Sequence, residues 1–128
     1  MFEQVFEFNE FVIGIPRRPG EPLGGNEIIW LTGCLNEEAE ELREARDRVD
    51  QVDALVDSII FAMGGLYRLG LSERQAEDCF NAVMSANFEK KLGQKEGRRF
   101  EGVADAVKPE GWVGPEDRIR QILEETPA

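Results

Sequence analysis

From Ala54 to Tyr67 the chain is apolar or small at every position except Ser58 and Asp57. A run of this kind predicts a helix packed inside a helical protein, and an unpaired carboxylate there costs several kcal/mol or stays protonated. Something must compensate Asp57: a basic side chain or a metal ion. Asp50 and Asp53 precede it at i, i+3, i+7 spacing. At about 100° per residue the three lie on one stripe about 60° wide.

The flanking segments place this helix. Residues 2–13 carry Phe2, Phe6, Phe8 and Phe11 and predict a short helix. GIPRRPGEPLGG (14–25) holds three prolines and four glycines and predicts a loop. Asn26 is a suitable N-cap for a helix running to about 46. The Asp57 helix covers about 50–69, ending at Gly70. Ser72 and Gln75 form a capping box for a third long helix to about Lys91. Residues 92–113 read as irregular. Pro115, Glu116 and Asp117 suit the start of a last helix reaching about Glu125. The expected fold is a single all-α domain, a helical bundle.

The 26–46 helix also turns acids inward. With Glu37 at zero, Leu31, Cys34, Leu35, Leu42 and Ala45 span an arc of about 60–160°. Glu38 falls at about 100°, inside that arc, and Glu41 at about 40°, on its edge. Packed antiparallel, the two helices would gather Glu38, Glu41, Asp53 and Asp57 into an oxygen-only site suited to Mg²⁺ or Mn²⁺. This requires a turn near 46–49, where neither Gly nor Pro stands. Asp47 or Asp50 is available to cap the second helix.

Composition narrows the chemistry. The 128 residues carry a net charge of −11 and contain no histidine. The charge argues against nonspecific nucleic-acid binding, and the commonest general base and metal ligand is missing. Cys34 and Cys79 lack metal or redox spacing and are expected as reduced core residues. No apolar run reaches the ~18 residues of a membrane span, and the acidic N-terminus does not read as a secretory signal. A cytoplasmic protein is expected.

The ordered set EExxE (37–41), DALVD (53–57), ANFEK (86–90) and KPEGW (108–112) resembles the all-α nucleotide pyrophosphohydrolase superfamily. That superfamily contains the MazG-like enzymes, dimeric dUTPases and phosphoribosyl-ATP pyrophosphohydrolases. Its pattern is ExxE, a spacer and ExxD on two antiparallel helices that bind Mg²⁺. One departure stands out: Ala54 occupies the position where the family usually has Glu, and the acid is Asp53 instead.

The resemblance implies metal-dependent hydrolysis of a nucleoside triphosphate to its monophosphate and pyrophosphate. Metal ligands would be Glu38, Glu41 and Asp57, with Asp53 assisting. Glu37 or Glu38 would be the catalytic base. Asn87, Lys90, Lys108 and Arg98 would meet the phosphates or sugar. Asn9, Phe11, Ile13, Trp30 and Trp112 would border the base. A deoxynucleotide is expected, with a lean towards a purine such as dGTP, in an enzyme of phage or bacterial type. The resemblance also implies a homodimer or homotetramer; Phe2, Phe6, Ile119, Ile122 and Leu123 are either contact surfaces or core. The alternatives are a dUTP- or dCTP-directed enzyme, a phosphoribosyl-ATP pyrophosphohydrolase, and a non-catalytic acidic helical binding protein.

Overall fold

The computed structural model describes residues 1–93 and 105–125. It is mostly helical, with α1 (Phe2–Glu7), a π-helical continuation (Phe8–Ile13), α2 (Gly25–Glu44), α3 (Arg48–Arg68), α4 (Glu73–Phe88) and α5 (Glu116–Glu124). Two short strands, β1 (Lys91–Gly93) and β2 (Asp105–Val107), pair antiparallel with Lys91 opposite Val107. These strands correct the expectation of an irregular 92–113 segment and of a helix reaching Lys91. Three residues are too few to show an alternating pattern in sequence. No single helix among the described residues is long and apolar enough to cross a membrane.

The chain divides into two compact units, Met1–Ala76 and Glu77–Ala128. In the first, α2 and α3 form an antiparallel hairpin. α2 starts one residue before Asn26, with Gly24 at its cap. It stops because Ala45 turns extended, and α3 begins because the Asp47 carboxylate accepts a hydrogen bond of 2.8 Å from the Asp50 backbone N–H. Asp47, not Asp50, is therefore the cap that makes the turn. Asp47→Ala is expected to cost about 1 kcal/mol, read as a lower denaturant midpoint with an unchanged slope. At the other end of α3, Ser72 and Gln75 form the reciprocal capping box that opens α4.

α1 covers only the C-terminal half of one α3 face. Phe6 is fully buried and meets Tyr67 edge-on, with ring centroids 5.3 Å apart. Phe2 and Phe6 are thus intramolecular core of this unit and not contact surfaces between copies. The Tyr67 hydroxyl donates to the Ile15 carbonyl (2.6 Å), fixing the start of the proline-rich loop. The N-terminal half of the same α3 face stays open: Val49, Val52, Leu55, Val56 and Ile59 are exposed. α3 is not the helix buried on all sides that its apolar composition predicts, because nothing in this unit covers those five residues.

In the second unit Ile122 on α5 is fully buried and Leu123 is half exposed. Trp112 is turned back by a Pro109–Trp112 backbone hydrogen bond of 3.0 Å, with Gly111 at φ 77° supplying the left-handed residue of the turn. Cys34 is half-buried, Cys79 is buried, and both are free thiols.

Candidate metal centre

The α2–α3 hairpin brings Glu38, Glu41 and Asp57 together. One carboxylate oxygen from each lies within 4.8 Å of the other two. Glu38 is buried, 8 % exposed; Asp57 is half-buried and Glu41 exposed. Glu37, Glu40 and Glu44 are exposed, as the helical rotation predicts. Asp53 is exposed at the rim, close enough for its charge to act on Glu38.

Among the described residues none of Glu38, Glu41, Asp53 and Asp57 forms an ion pair. No basic side chain among the described residues neutralises the cluster. Glu38 Oε2 is buried without a hydrogen-bond partner, a costly state for a carboxylate oxygen. Burial, then the neighbouring Glu41 carboxyl, then the charges of Asp57 and Asp53 push the Glu38 carboxyl up to about 7.

The donor set fits a hard divalent cation. Oxygens around one Mg²⁺ sit about 2.1 Å from it, hence up to about 4.2 Å apart. Modest side-chain rotation brings the 4.8 Å cluster to that spread. Three carboxylates without nitrogen or sulfur suit hard divalent cations over softer metals.

A pH dependence follows. Because Glu38 is raised from an ordinary 4.5 to about 7 in the fold, its protonated form favours the native state. That contribution is fully present below about 4.5 and is lost as pH rises through about 7. A cation needs the ionised form, so its stabilising effect runs the other way. Saturating Mg²⁺ or Mn²⁺ is expected to raise the melting temperature by about 5 °C at pH 8 and hardly at all at pH 5.5. Thermal melts with each metal and with EDTA read this directly; equal shifts at both pH values would argue against binding at Glu38.

The other predicted contacts fall in both units. Asn9 is buried; its Nδ2 donates to the Val5 carbonyl (2.9 Å), and a Cβ at Gly64 would lie 3.3 Å from it. Phe11 and Ile13 are exposed on the π-helical turn. Trp30 is partly exposed on α2, about 12 Å along the helix from Glu38. One face of its ring is covered by the Arg68 guanidinium at 4.2 Å, and it meets Phe61 in a T-shaped contact. Asn87, Lys90, Lys108 and Trp112 belong to the second unit, where both lysine ammoniums approach the Trp112 ring. Arg98 lies outside the described residues.

Arg68 and Glu27 escaped the sequence reading. Arg68 donates to Glu27 Oε2 (3.1 Å), Arg18 donates to the same carboxylate, and Arg68 Nε is buried without a partner. An acid in the first turn of one hairpin helix and an arginine in the last turn of the other was the available signal. No protein-family model matches the chain, and no curated protein is significantly similar to it.

Proposed function

We propose that this chain is a divalent-metal-dependent nucleotide pyrophosphohydrolase. It would convert a deoxynucleoside triphosphate and water to the monophosphate and pyrophosphate, with a purine such as dGTP preferred. The observation that carries the reading is the unneutralised cluster of Glu38, Glu41 and Asp57 with its orphaned Glu38 oxygen. Support also comes from the order of EExxE, DALVD, ANFEK and KPEGW along the chain.

Glu38, Glu41 and Asp57 would hold Mg²⁺ or Mn²⁺, with Asp53 at the rim. A bound divalent ion neutralises phosphate charge and lowers the pKa of an attacking water. In the reaction the water oxygen bonds to the α-phosphorus and the α–β anhydride bond breaks. With no histidine in the chain, a carboxylate accepts the water's proton. Glu38, within the cluster itself, is the first candidate base. Glu37, exposed beside it, is the second candidate base. The partly exposed Trp30 on the same hairpin offers an aromatic edge to a nucleobase. Under this reading copies of the chain pair through the open α3 face.

The test is a separate incubation with each common dNTP and NTP and Mg²⁺, measuring pyrophosphate against orthophosphate. Pyrophosphate with stoichiometric monophosphate is the expected result, dGTP fastest. Orthophosphate alone, or no release from any nucleotide, would reject the assignment.

A further inference from the structure

The second unit holds a groove of about 470 Å³ between α4 and the 113–118 segment, a volume within the range of small-molecule sites. One wall is a stripe of α4 that carries Asp78, Asn81, Ser85 and Glu89. At about 100° per residue these side chains fall in an arc about 80° wide. Asn87, the α4 residue that the resemblance assigns to phosphate or sugar, falls about 160° from the middle of that arc. The groove is therefore a different face of the helix. Val113, Gly114 and Pro115 form the opposite wall.

The walls are tied together near the Glu89 end, where Trp112 Nε1 donates to the Ala86 carbonyl at 2.7 Å. From there the chain runs back along α4 to Arg118. Arg118 arrives at the level of Cys79: burial and then the Asp78 carboxylate push the Cys79 thiol up, while the Arg118 charge pulls it down. Between the levels of Asp78 and Glu89 the α4 wall is about 16 Å long. The space is elongated.

Its charge is concentrated at the ends. Glu89 stands just past the end of α4, whose last turn has no basic residue. It forms no ion pair among the described residues. Its carboxylate and the last helical carbonyls both favour a cation there. Asp78 stands at the other end. Arg118, at that same end, is turned along α5, 3.6 Å from the Glu125 carboxylate and 3.5 Å from Gln121 Oε1. A third carboxylate, Glu116, lies over Gly114, where a side chain would collide with it. Between the ends, Asn81 and Ser85 are exposed and offer side-chain oxygens as acceptors.

We propose that this groove binds a linear aliphatic polyamine, with its terminal ammoniums at Glu89 and Asp78 and its methylenes against Val113 and Pro115. An anion would meet a carboxylate at each end, and a lone metal ion would leave most of the groove unfilled. This inference does not depend on the metal-centre reading.

The probe is spermine, titrated by calorimetry into the full chain in metal-free buffer at physiological ionic strength. The expected result is saturable binding at one site, weakened about tenfold in Glu89→Gln and lost in Ser85→Leu. The leucine fills the groove from an exposed helix position and leaves the charge unchanged. Asn81→Leu is the second plug should Ser85→Leu melt early. Glu77 is exposed on α4 and outside the groove lining, so Glu77→Gln removes the same charge away from the site and should bind as the unaltered chain does, as should Glu38→Gln. Four results would overturn the proposal: no saturable binding; equal weakening in Glu77→Gln and Glu89→Gln, the mark of general attraction to an acidic surface; full binding in both plugged variants; or loss in Glu38→Gln, which would move the polyamine to the metal centre.

Discussion

Glu38→Gln is expected to abolish pyrophosphate release and, at pH 8 without metal, to melt at a higher temperature than the unaltered chain. The two effects share one cause. Glu38 is buried beside Glu41 and Asp57 with no basic side chain paired to it among the described residues, and its Oε2 has no partner there. An uncharged amide removes the repulsion and supplies a donor for a neighbouring carboxylate. The same change removes the charge that would hold a divalent ion, so activity should fall by about a hundredfold or more. Asp57→Asn should match it in activity. Asp53→Asn, at the exposed rim, should lose about tenfold or less. Activity assays paired with apo and Mg²⁺ melts separate the effects. A stabilised Glu38→Gln that retains full turnover would reduce the cluster to an accident of packing.

Gly70→Ala should be the most damaging single-methyl addition, costing about 3 kcal/mol. Gly70 follows α3 at φ 82°, a conformation unfavourable for any side chain with a Cβ. The added carbon would lie 2.7 Å from Gly20 Cα and from the Pro19 carbonyl oxygen, and 2.8 Å from the Arg18 carbonyl oxygen. These are backbone atoms of the proline-rich loop and cannot rotate aside. The melting temperature should drop by about 10 °C. Gly33→Ala is the control of opposite sign. It sits within α2 with nothing within 4 Å of the added carbon, and alanine favours the helix by about 1 kcal/mol. Equal melting of the two variants would mean that the loop does not press on Gly70.

The acids on α2 were readable in the sequence because rotation at 100° per residue depends on nothing outside the helix. It sent Glu38 inward and Glu40 and Glu44 outward, as observed. The turn between the helices was harder, since Ala45 and Asp47 build it without Gly or Pro. The pairing of Glu27 with Arg68 left only a faint mark, an acid in the first turn of α2 and an arginine in the last turn of α3: they are 41 positions apart and meet only through the register of two packed helices. The open face of α3 was likewise hidden, because Val52, Val56 and Ile59 are as apolar as the buried Met63. Composition says which residues can be buried; only the length of α1 decides which are.

The proline-rich loop has one more consequence. Two successive arginines fasten it in different directions. Arg17 pairs with Glu10 and Glu73, and Arg18 with Glu27 while also donating to the Arg68 carbonyl. Both arginines stand in solvent, where a Debye length of about 10 Å at 0.1 M salt shrinks to about 3 Å at 1 M. The hairpin helices are joined chiefly by apolar burial, which does not feel that change, and the Glu27–Arg68 pair that also links them is more sheltered than either loop arginine. Ionic strength therefore acts first on the loop: salt loosens the strap across the hairpin before it reaches the pair that ties α2 to α3.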